Sequence, residues 1–210
     1  MDGNEMDLRW LGWAQRLQAI AQAGLTYSKD VYDIERFEEL RDISVQIMSA
    51  YTDLPKERVK LLFAGETGYA TPKVDVRGVV FREDRILLVR ETMDGLWSIP
   101  GGWADIGYSP GEIAVKEVKE ESGFDVRPVR LLAVLDRDRH DHPPHANYVY
   151  KLFLLCELQG GEAQTGTETT GVGFFGEDEL PPLSTDRVTE AQIKLFFRKM
   201  REGDITTTFD

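Results

Sequence analysis

Gly101-Gly102-Trp103-Ala104-Asp105-Ile106-Gly107-Tyr108-Ser109-Pro110-Gly111-Glu112-Ile113-Ala114-Val115-Lys116-Glu117-Val118-Lys119-Glu120-Glu121-Ser122-Gly123 decides the reading of this chain. Its right-hand half writes the ends of a helix over 110–122. Ser109 with Glu112 three residues on is a capping box, Pro110 suits the first helical position, and Gly123 suits the residue past the end. Ala114, Val115 and Val118 form an apolar flank that can pack on a sheet. Glu117, Glu120 and Glu121 stand at i, i+3 and i+4, so their carboxylates crowd one face. Two explanations fit that crowding. Lys116 and Lys119 make a salt-bridged surface helix the first reading from spacing alone, and a hard cation held by carboxylate oxygens and substrate phosphates is the other.

The flanks have strand character. Val74, Val76, Val79 and Phe81 precede a polar turn at 82–85, and Ile86, Leu87, Leu88 and Val89 resume the strand pattern. Downstream, apolar runs cover 129–135 and 148–158, the second interrupted by Lys151. Gly160-Gly161 is expected to break the pattern, 173–175 is a short apolar piece, and 188–200 reads as a closing amphipathic helix. Strands, a helix, strands and a helix indicate a mixed α/β or α+β domain.

The first part of the chain reads differently. Leu8, Leu11, Leu17 and Ile20 recur at helical spacing, widened by Trp10 and Trp13, with Gly24 as the expected stop and a turn at 26–28. A second helix over 31–50 places Phe37, Leu40, Ile43, Ile47 and Met48 on one face. A helical hairpin of about 60 residues buries little surface alone, so it needs the rest of the chain or a second subunit. Residues 52–71, with Pro55, Gly65 and Gly68, read as linker. The expected division is a helical domain at 1–66 and a second domain at 67–210.

Composition bounds the function. A net charge of −12 argues against stable binding to nucleic acid, which calls for a basic patch. A small anionic substrate stays possible, because a bound dication reverses the local sign. No apolar run approaches the length of a membrane span. Asp2, Glu5 and Asp7 make the start unlike a signal peptide, and the single cysteine, Cys156, points to the reducing cytoplasm. His140, His142 and His145 share one segment with Arg137 and Arg139. Zinc is a weak reading there, since no cysteine is near and Pro143-Pro144 stiffens the loop. A substrate-contacting or an inert loop is preferred, with Arg137 and Arg139 as cations for phosphate or ribose. Arg90, beside Glu91 at the end of a strand, has a similar claim.

Read from Gly102, the helix segment resembles the Nudix box: Gly, five residues, Glu, seven residues, Arg-Glu, an aliphatic, any residue, Glu-Glu, any residue, Gly, an aliphatic. Here the positions are Gly102, Tyr108, Lys116-Glu117, Val118, Lys119, Glu120-Glu121, Ser122, Gly123 and Phe124. Residues 96–101 resemble the strand that leads into the box. The resemblance implies a Nudix-type α/β/α sandwich with a mixed sheet, preceded here by a small helical domain. It assigns Glu117, Glu120 and Glu121 to a catalytic metal, Mg²⁺ or its substitute Mn²⁺, with one of them a candidate base. It makes Glu168, in the downstream loop, a candidate ligand or base.

Three positions depart from the box. Tyr108 replaces a Glu and supplies no carboxylate, and Phe124 replaces an aliphatic. Lys116 replaces the Arg that in the family holds the glutamates, giving a point charge instead of a fork. Residues 17–27 and 178–184 also resemble a bacterial Nudix subgroup whose helical extension is associated with dimerisation. That likeness implies a homodimer hydrolysing a nucleoside diphosphate linked to another moiety, such as ADP-ribose or CDP-choline, to a nucleoside monophosphate and a phosphorylated product. The alternatives are a nucleoside triphosphate pyrophosphohydrolase and a non-catalytic Nudix-fold nucleotide binder.

Overall fold

The computed structural model describes residues 9–52 and 54–210, apart from the Leu62 side chain. Leu8, the expected start of the first helix, and the acidic residues Asp2, Glu5 and Asp7 lie outside the described residues. The chain forms two compact units. One comprises residues up to Pro72 together with Pro144–Tyr148, and the other comprises Lys73–Pro143 and Val149–Asp210.

The helical unit contains α1 (Arg9–Tyr27), α2 (Val31–Ala50) and α3 (Lys56–Phe63). Gly24 does not stop α1. A Cβ there would lie 2.3 Å from the Phe37 ring, so this glycine lets α2 press against α1 while the helix runs on. Asp30 caps α2, its carboxylate accepting from the backbone N–H of Tyr32 and Asp33. The stretch expected as linker contains α3. Pro55 sits at its N-terminal edge, where proline starts a helix as readily as it punctuates a loop. Val59 on α3 joins Leu11, Ala14, Val45 and Met48 in the unit's core. The expected stripe is only partly inside: Trp13 is 57% exposed, Ile20 53% and Ile43 38%. Ala14 and Ala21 are buried in their stead, because small side chains suit the tight α1–α2 contact, and buried Gln18 accepts from Ser44 Oγ of α2 at 3.4 Å.

The second unit is built on one mixed sheet. Its strands are β1 (Lys73–Arg82), β2 (Arg85–Glu91), β3 (Trp97–Ser98), β4 (Gly101–Trp103), β5 (Phe124–Asp136), β6 (Val149–Gly161), β7 (Thr169–Phe175) and β8 (Thr208–Phe209). The order is β3-β2-β1-β6-β5-β8, with β4 also paired to β1 and β7 to β2. Glu83 and Asp84 both take positive φ, giving the tight turn that matches the twist of the β1–β2 hairpin. The expected lead-in strand at 96–101 is two short strands: β3 pairs with β2 and β4 with β1, and the chain crosses between partners at Ile99-Pro100. Gly160-Gly161 does not break β6, which pairs on to Phe124 and Asp125. A Cβ on Gly161 would lie 2.5 Å from the Gly123 carbonyl, so the glycine permits that pairing.

Helices α4 (Pro110–Ser122) and α5 (Glu190–Glu202) cover opposite faces of the sheet, giving the expected α/β/α sandwich. Even positions of β1, Val76 and Val80, meet Ile113, Ala114 and Val118 of α4. Odd positions, Val79 and Phe81, meet Phe196 and Phe197 of α5. Gly78 lets α4 approach closely, since a Cβ there would lie 2.5 Å from a Val118 methyl. Burying Ile113 and Val118 contributes about 1.5–3 kcal/mol each. Helix α5 starts two residues later than expected; Thr189 and Gln192 form its capping box, while Val188 is buried in the turn before it.

Ser109 and Glu112 make both bonds of the capping box at α4. We expect Ser109→Ala to lower stability by about 1 kcal/mol, read as a shift of the urea midpoint at constant m-value.

Candidate active site

The glutamate face of α4 is held by its neighbours. Glu121 is 6% exposed, and its Oε2 accepts a hydrogen bond from the Gly101 backbone N–H at 3.0 Å. Burial pushes its carboxyl up to about 8, opposed chiefly by the charge of Arg77. Glu117 is half-buried and also raised, first by burial, while a Cβ on Gly102 would lie 3.3 Å from its Oε2. The Glu120 side chain is 61% exposed. Lys116 Nζ lies 3.0 Å from Asp105, 3.4 Å from Glu117 and 4.0 Å from Glu120. It bridges the loop after β4 to the acidic face. Among the described residues, no three acidic, histidine or cysteine side chains are gathered into a ready metal cage.

The loop before β7 is fastened to the C-terminal turn of α4. Thr169 Oγ1 donates to the Glu121 carbonyl at 2.8 Å, and Gly166 N–H donates to that hydroxyl at 2.9 Å. Gly166 itself packs so closely that a Cβ would lie 2.1 Å from the Glu120 carbonyl. Glu168, on this loop, is exposed, and its carbonyl accepts from Thr92 N–H.

The arginines expected from the sequence are not gathered on α4. Arg90 is exposed and its Nε donates to the Gly95 carbonyl at 2.7 Å. Arg137 is 3% exposed and paired with Asp186 at 3.0 Å. The Arg139 side chain is 70% exposed, 3.5 Å from Asp136.

The histidines of the same loop have separate partners. His140 meets Asp210, and His145 meets Asn147. His142 Nδ1 lies 2.6 Å from the Thr185 carbonyl and Nε2 lies 3.0 Å from Gln192 Nε2. A neutral ring with the proton on Nδ1 satisfies both bonds, and burial pushes its pKa down to about 4. Because the folded pKa lies below the ordinary value of 6.5, the unfolded chain binds more protons between those values. Stability is therefore expected to be full above about pH 6.5 and to fall as pH drops towards 4. The loss is on the order of 1 kcal/mol after allowance for solvent screening. Urea midpoints across that range should slope in the native chain and flatten in His142→Gln; equal slopes would refute this.

A buried charged group went unread in the sequence. Asp75 and Arg77 lie on β1 facing the α5 side, and Lys151 lies beside Asp75 on the parallel strand β6. Arg77 Nε and Nη2 both donate to Asp75, at 2.8–3.1 Å, and Nη1 donates to the Ile99 carbonyl at 3.0 Å. Lys151 pairs with the same carboxylate. Burial opposes ionisation of Asp75, yet the two cations hold its pKa below the usual range. Burial lowers Lys151 to about 8. Glu91, also buried, accepts from Ser98 Oγ at 2.6 Å and pairs with Arg187 at 3.1 Å. The available signal was a charge at a buried position of an otherwise apolar strand.

The sandwich thus carries Glu117, Glu120 and Glu121 together on a sheet-packed helix, with Glu121 buried against the glycine-rich strand β4. The chain belongs to the Nudix hydrolase family: residues 71–197 match the Nudix domain. Residues 8–63 match a UDP-X-like N-terminal oligomerisation domain. Among its relatives, a Bacillus subtilis protein named "Putative ADP-ribose pyrophosphatase YjhB" is 53% identical over 206 residues, spanning 98% of this chain and 99% of that one. Among solved structures, an ADP-ribose pyrophosphatase from Streptococcus suis is 47% identical, covering 67% of this chain and all of that one at a TM-score of 0.62. A UDP-X diphosphatase is 35% identical with a TM-score of 0.63, covering 97% of this chain and 99% of that one. Nudix hydrolases generally use divalent metal ions, and among the described residues no helix is long and apolar enough to cross a membrane.

Proposed function

We propose that this enzyme hydrolyses the pyrophosphate bond of a nucleoside diphosphate linked to another moiety, with Mg²⁺ as its cofactor and ADP-ribose as its leading substrate. The observation that carries this reading is the full-length relative bearing an ADP-ribose pyrophosphatase name, which matches both units of the chain. The products would be a nucleoside monophosphate and a phosphorylated second moiety: AMP and ribose 5-phosphate from ADP-ribose. The UDP-X diphosphatase likeness, which also spans both units, supports a second reading in which uridine replaces adenosine. CDP-choline and free triphosphates follow these.

The donor set fits a hard dication. Glu117, Glu120 and Glu121 offer carboxylate oxygens, the donor type that Mg²⁺ takes together with water and substrate phosphates. When bound, the ion neutralises phosphoryl charge and makes water a stronger nucleophile. Glu121 is presented by Gly101, Glu117 is steadied by Lys116, and Glu120 reaches solvent. Glu168 is the proposed assisting ligand or proton acceptor, on a loop that Thr169 and Gly166 fasten to the same helix turn. Arg139 and Arg90, both exposed, are the proposed phosphate or ribose contacts; Arg137 has its charge engaged by Asp186.

The helical unit is the proposed dimerisation module, with exposed Trp13, Ile20 and Leu61 as apolar contact residues. Sedimentation equilibrium should give a mass twice that of one chain.

The test of activity is phosphate release, after added phosphatase, from ADP-ribose, UDP-sugars, CDP-choline and nucleoside triphosphates, with and without Mg²⁺. Magnesium-dependent turnover led by ADP-ribose is the expected result. Turnover of triphosphates alone would overturn the substrate class, and turnover without any dication would overturn the metal.

A further inference from the structure

We infer that Arg77 is a positioning residue for the metal site, holding the Gly101 peptide whose N–H fixes the Glu121 carboxylate. This rests on the reading of Glu121 as a metal-binding residue.

Arg77 and Gly101 face each other across the β1–β4 pairing, and the Gly101 N–H is the group that Glu121 accepts. The approach is close: a Cβ on Gly101 would lie 2.8 Å from Arg77 Cα and 2.9 Å from its Cδ. The guanidinium is itself clamped in plane, by the fork to Asp75 on one edge and by the Ile99 carbonyl on the other. Ile99 is two residues before Gly101, so the Arg77 guanidinium ties the crossing segment between β3 and β4 to Asp75, while the neighbouring Gly78 N–H donates to the Pro100 carbonyl. Lysine would bring a single nitrogen to these partners and lose the planar fork that meets Asp75 and Ile99 from separate nitrogens.

A need for such a group follows from the position of Lys116. Its ammonium reaches Asp105, Glu117 and Glu120. Glu121, the most buried of the trio, instead meets Gly101, and Arg77 is the cation whose charge acts on it most strongly. A fixed donor that orients a ligand from outside the coordination sphere is worth about 10–100-fold in metal affinity or activity.

Charge counting makes the test practicable. Asp75 carries two cations, Arg77 and Lys151. Arg77→Gln leaves the Asp75–Lys151 pair, and Lys151→Met leaves the Asp75–Arg77 pair, so neither strands the carboxylate. Direct binding of Mn²⁺ alone to the full chain, by electron paramagnetic resonance, is the primary readout. Arg77→Gln should weaken Mn²⁺ binding by about 10-fold or more and lower kcat by about 10–100-fold, with KM for ADP-ribose within a few-fold. Arg77→Lys should fall between it and the parent, and Lys151→Met should bind Mn²⁺ as the parent does.

Parent-like Mn²⁺ binding by folded Arg77→Gln overturns the inference, as does an equal loss in Lys151→Met. If Arg77→Gln does not fold, Arg77→Lys decides on the same criterion. Glu121→Gln separates the two layers. Should it bind Mn²⁺ normally, the metal assignment itself fails. Should it lose Mn²⁺ while Arg77→Gln retains it, only the role of Arg77 fails.

Discussion

Glu121→Gln is expected to lower kcat by about 10²- to 10⁴-fold while leaving the protein at least as stable as the parent. The two halves of that result come from one environment. Glutamine keeps the length and shape of the side chain, and its amide oxygen can still accept from the Gly101 N–H. It lacks the negative charge that makes a carboxylate a much stronger ligand for a dication. The same charge is costly to bury, and burial already pushes the Glu121 carboxyl up to about 8. Removing it relieves the fold and disables the site. The measurement pairs kcat at saturating Mg²⁺ with urea unfolding in the absence of metal. Activity within a few-fold of the parent would sink the assignment of Glu121. A drop in activity matched by a drop in stability would make it a structural residue.

Gly101→Ala is the second large effect, and here stability should fail first. Gly101 has φ +146, and an added Cβ would lie 2.1 Å from the Val76 carbonyl, a backbone atom with no room to yield. Strained backbone and overpacking together are expected to cost about 2–6 kcal/mol. Separation of β4 from β1 would also carry away the donor that Glu121 uses. Gly107→Ala is the matched comparison: its φ is +97, but nothing lies within 4 Å of the new Cβ. That variant should cost about 1 kcal/mol, the backbone share alone. Equal unfolding midpoints for the two would show that close approach is not what Gly101 serves.

Local rules of the sequence carried furthest where the chain obeys its neighbours alone. The ends of α4 were legible in Ser109, Pro110, Glu112 and Gly123 because caps are settled within one turn. The β1–β2 hairpin was legible from alternation and a polar turn for the same reason. Reading faltered where a residue answers to something distant. Gly24 looked like a helix stop and is the seat of Phe37. Gly161 looked like a break and is the point where β6 meets the end of α4 at Gly123. Pro55 reads as punctuation in a linker and caps the start of α3, whose Val59 is buried.

The site shows the same division. The glutamates of α4 follow from a motif along one helix, whereas the Asp75–Arg77–Lys151 group needs β1 and β6 to lie side by side. In the sequence Lys151 is only an interruption of an apolar run. Its partner, 76 positions away, is what makes a buried lysine intelligible.

The connection between β5 and β6 has a consequence for dissection of the enzyme. It leaves the sandwich through Arg137, Arg139 and the histidines, yet Pro144–Tyr148 belongs to the helical unit, where Gln15 donates to the His145 carbonyl and Ala146 packs on the core. The two matched families thus are not beads on a string that a protease or a cloning primer can part cleanly. The catalytic portion lends a stitch to its neighbour. A truncated enzyme lacking residues 1–72 would keep every glutamate of α4 but leave that stitch unanchored, an unsupported loop between two paired strands. Any activity lost in such a truncation would report the loop as much as the proposed pairing of subunits.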